Sequence, residues 1–160
     1  MASNADRRRS SRVTTTTSTS APAIQRLDHW TLVTSDVERT QRFYAEVLGA
    51  ALPKRTGGPA SVNLAGTVID FFPASADNPP SPGSWGQHHA YVIDLGTFDH
   101  WVEHLTAKHV AFRRTTHGLY RMSIYVDDPD GYHIELTVVF EDQEVGRREI
   151  EKRGLLEASG

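Results

Sequence analysis

One stretch of the chain, residues 116–135, holds several side chains that can bind a metal ion or move a proton. Its sequence, THGLYRMSIYVDDPDGYHIE, carries in fixed order His117, Tyr125, an acid-Pro-x-Gly turn and Glu135. Imidazole and carboxylate groups are donors that divalent transition metals accept readily, and a phenol adds a neutral hydrogen-bond donor. The stretch therefore predicts a metal site.

Two histidines upstream can complete a ligand set with Glu135. The runs LDHW and QHHAYVID bring His29 and His88 to the start of alternating apolar patterns. Two histidines and one carboxylate form a facial triad, which leaves three adjacent positions of an octahedral metal open. Because those positions accommodate a bidentate substrate and dioxygen, this ligand set indicates a metal-dependent oxygenase.

The composition limits the classes of protein that need considering. The 160 residues are 38% hydrophobic with a net charge of -3, as expected for one domain in the cytoplasm. There is no basic excess to indicate nucleic acid, and no apolar run approaches the roughly 18 residues that cross a membrane. The chain has no cysteine, so a metal must be held by imidazole and carboxylate groups.

Segments at both ends differ from the middle of the chain. Residues 1–24 are rich in Arg, Ser and Thr and lack apolar periodicity, which predicts a disordered tail. They share the composition of a transit peptide, but the apolar region of a secretion signal is missing. Residues 141–160 combine mixed charge with helical spacing and predict a helical extension. This extension is expected to cover the mouth of a cleft or to contact a second subunit.

Between these ends, residues 25–140 form a domain that predicts the order βαβββ twice. The first module covers residues 26–72, the second covers residues 88–140, and a linker of residues 73–87 joins them. In the first module a half-buried strand precedes a helix with Ser35 as its N-cap and Gly49 as its terminator.

The two modules align with each other without gaps at the candidate ligands. GTVIDFF matches GYHIELT, which sets Asp70 opposite Glu135, and DHWT matches QHHA, which sets His29 opposite His88. Strand alternation turns His88 to the face away from His89. The fold class expected is α+β, with both modules pairing into a curved mixed sheet that encloses a metal cleft.

These features resemble the vicinal-oxygen-chelate superfamily, which includes glyoxalase I, fosfomycin-resistance proteins, bleomycin-binding proteins and extradiol dioxygenases. The similar pieces, within residues 27–140, are LDHWTLVTSDVERTQRFYAEVLGA, HHAYVID and DPDGYHIEL. The resemblance implies metal ligands at His29, His88 and Glu135, and it favours His88 over His89. It also implies a possible homo-oligomer, since modules in this superfamily pair across subunits.

Within the superfamily, the pattern of His117, Ile124-Tyr125, DPDG and Glu135 resembles extradiol ring-cleavage dioxygenases most. That resemblance implies Fe(II), an aromatic diol substrate and O2. It gives His117 a catalytic proton-transfer role and Tyr125 a hydrogen bond to a substrate oxygen. The chain departs from those enzymes in lacking a histidine shortly before His88 and in having two modules rather than four.

Two other functions stay open at this point. A glyoxalase-like lyase or isomerase would use Mn, Ni or Zn, and Asp70 would then be a fourth ligand. A metal-free protein that binds an aromatic drug is the other. The helix that contains His100-Trp101-Val102-Glu103-His104 spells an inverted zinc-peptidase motif, but its predicted position on the outer face indicates an ordinary surface helix.

Overall fold

A computed structural model describes residues 23–53, 57–84 and 86–156 of the chain. Seven strands and three α-helices follow each other in two similar groups, with a short 3-10 helix before the second α-helix. In chain order they are β1 (His29–Thr34), α1 (Val37–Glu46), β2 (Ala60–Leu64), β3 (Thr67–Pro73), β4 (His88–Val92), α2 (Phe98–Ala107), β5 (Phe112–His117), β6 (Arg121–Asp127), β7 (His133–Val139) and α3 (Gln143–Lys152).

Each module forms its own mixed sheet. The first sheet has the order β1-β3-β2 and the second has the order β4-β7-β6-β5. In both, the first strand runs parallel to the last and the remaining pairs are antiparallel. The counterpart of β5 in the first module is reduced to a single bridge between Ala51 and Asn63. The predicted α+β fold with duplicated modules is confirmed, and the described strands form no closed barrel.

The first helix begins one residue later than its sequence predicts. The side chain of Asp36, and not that of Ser35, accepts the hydrogen bond from the backbone N–H of Arg39 at 3.0 Å. Ser35 was wrong as the N-cap because its hydroxyl donates to Asp130 of the second module instead. Gly49 follows the helix with φ +73°, a backbone conformation that favours glycine.

One hydrophobic core serves both modules. Tyr44 and Phe71 of the first module belong to the same buried cluster as Phe98, Leu105 and Ile134 of the second. Each of these side chains is at most 1% exposed. The helices and one face of each sheet supply this buried cluster. The opposite face of each sheet is therefore not part of the core.

The turn between β6 and β7 ties the second module to the first. The carboxylate of Asp130, 5% exposed, accepts hydrogen bonds from Thr34 and Ser35 and lies 3.3 Å from Arg39. Burial alone would raise the pKa of Asp130, but these hydrogen bonds and the nearby cation outweigh burial and lower it. We call this contact the module latch.

An aromatic pair and a tyrosine extend the contact beyond the latch. The hydroxyl of Tyr132 donates to the carbonyl of Val33 at 2.9 Å and accepts from the backbone N–H of Ser81 at 3.1 Å. The rings of Trp30 and His89 stack with their centroids 3.6 Å apart. The edges of the two sheets therefore meet along β1 and β4.

The C-terminal helix packs directly on the second module. Its N-cap Asp142 accepts from the N–H of Glu144 at 2.8 Å, and Ile150 is fully buried. At Gly146 the helix comes so close to the hairpin between β5 and β6 that a Cβ atom would overlap the carbonyl oxygen of Leu119.

The predicted domain boundaries stay a prediction. Most of the tail predicted for residues 1–24 lies outside the described residues, which begin at Ala23. None of the helices in the described ranges has the length and apolar character needed to span a membrane.

Candidate functional site

The second sheet turns polar side chains to the face opposite the core. Residues that pair directly across strands share a face. Glu135 pairs with Ala90 and Tyr125, and Tyr125 pairs in turn with Arg113. We call this surface the polar face, and its other members are His88, Thr115, His117, Arg121, Ser123, Asp127, His133 and Thr137.

Glu135 lies at the centre of the polar face and is held from two sides. Its side chain is almost completely buried, at 1% exposure. The hydroxyl of Ser123 donates to Oε1 at 2.6 Å, while Nε2 of His88 lies 2.9 Å from Oε2. Ser123 is itself 2.9 Å from the hydroxyl of Thr137. A buried carboxylate is costly unless it is paired or binds a metal, and this one is oriented toward an imidazole.

His117 and Tyr125 lie beside this carboxylate. Nε2 of His117 is 3.1 Å from the hydroxyl of Tyr125 and 3.7 Å from Oε1 of Glu135. Burial and the charge of Glu135 raise the pKa of Tyr125 to about 12. The phenol therefore stays protonated at neutral pH and can donate a hydrogen bond. The imidazole of His117 is 42% exposed, so a small molecule on the polar face can reach it.

The two adjacent histidines of β4 point to opposite sides, as strand alternation predicts. His88 is next to Glu135 on the polar face, whereas His89 stacks on Trp30. Burial, followed by the neighbouring charge of His88, lowers the pKa of His89. This arrangement suits His88 for a metal and His89 for packing. Ligation by His88 stays a prediction.

A cavity of about 300 Å³ opens where β1 meets β4. Its lining includes Thr31 of the first module and His88 and His133 of the second. His133 is held by Asp127, whose Oδ1 lies 2.6 Å from Nδ1 of the imidazole. Space for a small molecule therefore adjoins His88, the neighbour of Glu135.

His29, the third predicted ligand, lies apart from His88 and Glu135. Its ring nitrogen Nδ1 is 3.1 Å from Oδ2 of Asp28, and its side chain is 52% exposed. Within residues 23–53, 57–84 and 86–156, no three His, Asp or Glu side chains are close enough together to hold a metal ion. One chain thus brings together two of the three predicted ligands, and ligation by His29 stays a prediction.

Asp70 occupies the position of the first sheet that corresponds to Glu135. It pairs with Thr31 on β1 and with Ser61 on β2 and is 8% exposed. The ring nitrogen Nδ1 of His29 lies 3.1 Å from Asp28. The proposed role of Asp70 as a fourth ligand is therefore left open.

Sequence reasoning missed Ser123, Arg113 and Arg121. Their signal was present in the alternation of the strands, because Arg121, Ser123 and Tyr125 follow each other at every second position. The register between β6 and β7 pairs Ser123 with Thr137 and so places Ser123 beside Glu135. Alternation alone shows which side chains share a face, but it does not show which of them meet across strands.

The sequence pattern of the glyoxalase/bleomycin resistance protein/dioxygenase superfamily matches residues 26–136. The chain belongs to this superfamily. The virulence protein STM3117 of Salmonella typhimurium is 34% identical over 71% of this chain and 84% of its own. The metallothiol transferase FosB of Staphylococcus saprophyticus is 28% identical over 71% of this chain and 76% of its own.

A solved structure supports the fold. The fosfomycin resistance protein FosX of Listeria monocytogenes has a TM-score of 0.63 at 22% identity, over 78% of this chain and 99% of its own. At this identity the likeness concerns the fold alone. Metal binding and enzymatic activity nevertheless occur in the superfamily, since one matched relative is by name a metallothiol transferase.

These relatives correct the expected reaction. The prediction of an extradiol dioxygenase that cleaves an aromatic diol is wrong, because the matched relatives are a virulence protein, a metallothiol transferase and fosfomycin resistance proteins. Nothing in them supports iron in particular. The DPDG pattern misled because Asp128 shapes the turn and Asp130 forms the module latch. These are structural tasks that carry no information about the reaction.

Proposed function

We propose that this chain is a glyoxalase-like enzyme, a lyase or isomerase that uses a divalent metal ion to move a proton on a small substrate. The observation that carries the proposal is the buried carboxylate of Glu135, which lies between His88 and Ser123 with the His117 and Tyr125 pair beside it. The superfamily match and the metal-dependent relative support it.

The side chains around Glu135 fit a divalent ion by their chemistry. An imidazole and a carboxylate are donors that Mn, Ni and Zn all accept. The hydrogen bond from Ser123 occupies Oε1 and fixes the orientation of the carboxylate, a support that ligating carboxylates usually have. A bound divalent ion would polarise a substrate oxygen and make a neighbouring C–H or O–H group more acidic.

The remaining residues of the polar face would handle the proton. His117 is accessible, and an imidazole suits a general base that takes a proton and returns it. Tyr125, whose pKa is raised to about 12, would donate a hydrogen bond to a substrate oxygen. An isomerisation of this kind needs no further reactant.

The third ligand, in this proposal, comes from a second copy of the chain. His29 does not join His88 and Glu135 within one chain, and one core already occupies the helix side of both sheets. On the opposite side, large apolar residues are open to solvent: Phe72 is 43% exposed, Val92 is 74% exposed and Val139 is 44% exposed. We propose that a second copy covers these residues and contributes its own His29 to the site of Glu135.

A complementation experiment tests this arrangement. His29→Ala and Glu135→Ala proteins are purified separately, partly unfolded, mixed and refolded together. If each site combines His29 of one copy with Glu135 of the other, the mixed dimer has one intact site and one doubly damaged site. We expect Mn²⁺ binding, followed by the paramagnetic resonance signal of free Mn²⁺, to return to about one ion per mixed dimer. No recovery would mean that each site lies within one chain.

A second measurement tests the reaction itself. The metal-loaded protein is incubated in D2O with small hydroxy-carbonyl compounds and with thiol adducts of 2-oxoaldehydes, and proton exchange is followed by NMR. A parallel sample with fosfomycin and a thiol reports loss of free thiol. Exchange that needs both metal and His117 supports the proposal. Metal binding with thiol loss but no exchange replaces it by a transferase, and absence of metal binding leaves a metal-free binding protein.

A further inference from the structure

A cleft lies between the end of helix α1 and the side of helix α2. Its volume is about 220 Å³, and its lining includes Glu46 and Val47 at the end of α1 and Trp101 and His104 of α2. We call it the helix cleft. None of these residues belongs to the polar face, so a ligand bound here would be independent of the proposed metal site.

The end of α1 carries negative charge that no basic side chain of its last turn compensates. Glu46 is the last residue of the helix, where the backbone carbonyls already have partial negative charge. Arg42, one turn earlier, lies 3.8 Å from Glu38 instead. A carboxylate at this end of a helix is locally unfavourable, and such departures from helix chemistry are expected at functional sites. This end of the helix cleft therefore favours a cation.

The imidazole of His104 adds a second hydrogen-bond acceptor to the lining. Its Nε2 atom lies 3.0 Å from the carbonyl oxygen of Val47, and a carbonyl only accepts, so Nε2 donates. In the neutral ring, Nδ1 is then an acceptor. Among the described residues that line the helix cleft there is no lysine or arginine. Its side chains therefore suit a ligand that is positively charged and donates hydrogen bonds.

Trp101 gives the helix cleft an aromatic wall. Its partly buried indole meets the imidazole of His104 edge to face, with the ring centres 5.7 Å apart and the planes at 89°. Among aromatic side chains, an indole attracts a cation most strongly. Val47, 9% exposed, adds apolar surface next to it. A ligand that combines a positive charge with an apolar part would use all of these contacts.

We propose that the helix cleft binds a small organic ammonium ion, with its nitrogen near Glu46 and its apolar part against Trp101 and Val47. An inorganic cation fits less well, because no three His, Asp or Glu side chains of the described residues are placed to hold a metal ion. An ammonium group needs fewer oxygen ligands than a metal ion does. Its carbon part also gains free energy by leaving water for the apolar wall.

Benzylammonium is the probe for this site, and benzyl alcohol, similar in shape but uncharged, is its matched control. Both are titrated at neutral pH into the full-length protein labelled with a nitrogen isotope, and the side-chain N–H signals of the tryptophans are followed by NMR. The Trp101 signal is identified as the one missing from Trp101→Phe. We expect benzylammonium to move this signal to saturation and to bind about fivefold more tightly than benzyl alcohol, as a partly exposed ion pair beside an indole allows.

Two glutamate variants separate a binding site from general surface charge. Glu46→Gln should weaken benzylammonium binding about fivefold, since it removes the charge and keeps the volume. Glu103→Gln should change the dissociation constant less than about twofold, because Glu103 is exposed on α2 and does not line the helix cleft. Glu46→Gln also removes a negative charge from the carbonyl end of a helix, so it should not lower the thermal unfolding temperature. Weaker binding together with earlier melting would mean that Glu46 shapes the helix and does not hold the ligand.

Two further results would overturn the proposal. One is equal binding of benzylammonium and benzyl alcohol, and the other is equal weakening in Glu46→Gln and Glu103→Gln. The titration is repeated with Mn²⁺ present and should give the same dissociation constant, since the helix cleft shares no residue with the polar face. A dissociation constant that depends on Mn²⁺ would place the amine at the metal site and would also contradict the proposal.

Discussion

The two modules share one strand order, yet a histidine and an acid at corresponding positions behave differently in them. In the second sheet, Nε2 of His88 reaches Oε2 of Glu135 diagonally across β4 and β7 at 2.9 Å. In the first sheet, His29 and Asp70 occupy the equivalent diagonal, and the ring of His29 lies 3.1 Å from Asp28. Aspartate is one methylene shorter than glutamate, so it reaches less far across the strands.

The difference extends to what surrounds each acid. The second module has a full fourth strand, β5, which carries Arg113 and His117, whereas the first module keeps only a bridge at Ala51 in that place. Duplication therefore accounts for the scaffold, and the candidate chemistry is concentrated in the second copy. The contrast between the two modules leads to four predictions.

Glu135→Gln should weaken Mn²⁺ binding about 1,000-fold, because it removes the one charged ligand among the proposed set of His29, His88 and Glu135. The substitution keeps the volume and an oxygen for Ser123 but removes the charge. Asp70→Asn, its counterpart in the first module, should change the affinity less than about tenfold. The measurement is a competitive titration with a metal-sensitive dye. Equal losses would mean that both modules contribute a carboxylate.

His117→Gln should lower kcat about 100-fold on a substrate found by the exchange screen, because a general base is lost. Mn²⁺ affinity should stay within about threefold, since His117 lies 3.7 Å from Glu135 without being a predicted ligand. His100→Gln is the control, because this side chain is 80% exposed on the distant helix α2. A parallel loss of metal would make His117 a ligand.

Asp130→Ala should lower the free energy of unfolding by about 2–3 kcal/mol, since it removes hydrogen bonds to a charged group at the module latch. Because the folded-state pKa of Asp130 is lowered, its stabilisation is present above the unfolded value and is lost as the pH falls through the folded one. Asp77→Ala, an exposed acid in the segment that joins the modules, is the control. Urea denaturation at pH 7 should show the loss only for Asp130.

Asp128→Asn should raise the free energy of unfolding by about 1 kcal/mol at pH 7.5. Burial raises the pKa of Asp128 to about 6, and its Oδ2 has no hydrogen-bond partner among the described residues. The stabilisation that comes from protonating Asp128 is complete below pH 3.8, the ordinary pKa of this carboxyl group. It is lost as the pH rises through about 6, the pKa in the folded protein. The asparagine should therefore remove this pH dependence. A variant that melts lower at pH 7.5 would mean that the charged form is required.

The sequence predicts the strands of this molecule better than it predicts the contacts between them. Alternating apolar positions indicate the strands, and internal alignment sets Asp70 opposite Glu135 and identifies His88 as the polar-face histidine. Those features depend on residues near each other in the chain or on a repeat. Ser35 was misassigned because its partner, Asp130, is 95 residues away in the other module.

The same reason explains what was missed at the candidate site. The burial of Nε in Arg121 and the hydrogen bond from Ser123 to Glu135 depend on how β5, β6 and β7 align. The reaction was misjudged for a different reason. A histidine, a tyrosine and a turn at similar spacing reflect the sheet that all members of the superfamily share, and they do not specify what reacts on it.

The close approach at Gly146 makes the contact between α3 and the hairpin of β5 and β6 sensitive to substitution. Any larger residue there would push the helix away from the carbonyl of Leu119, which belongs to the hairpin that follows His117. Such a substitution would change no polar-face residue, yet it would disturb the turn between His117 and Arg121. In a mutational scan, Gly146 should therefore group with the residues of the site rather than with those of the surface helix that contains it.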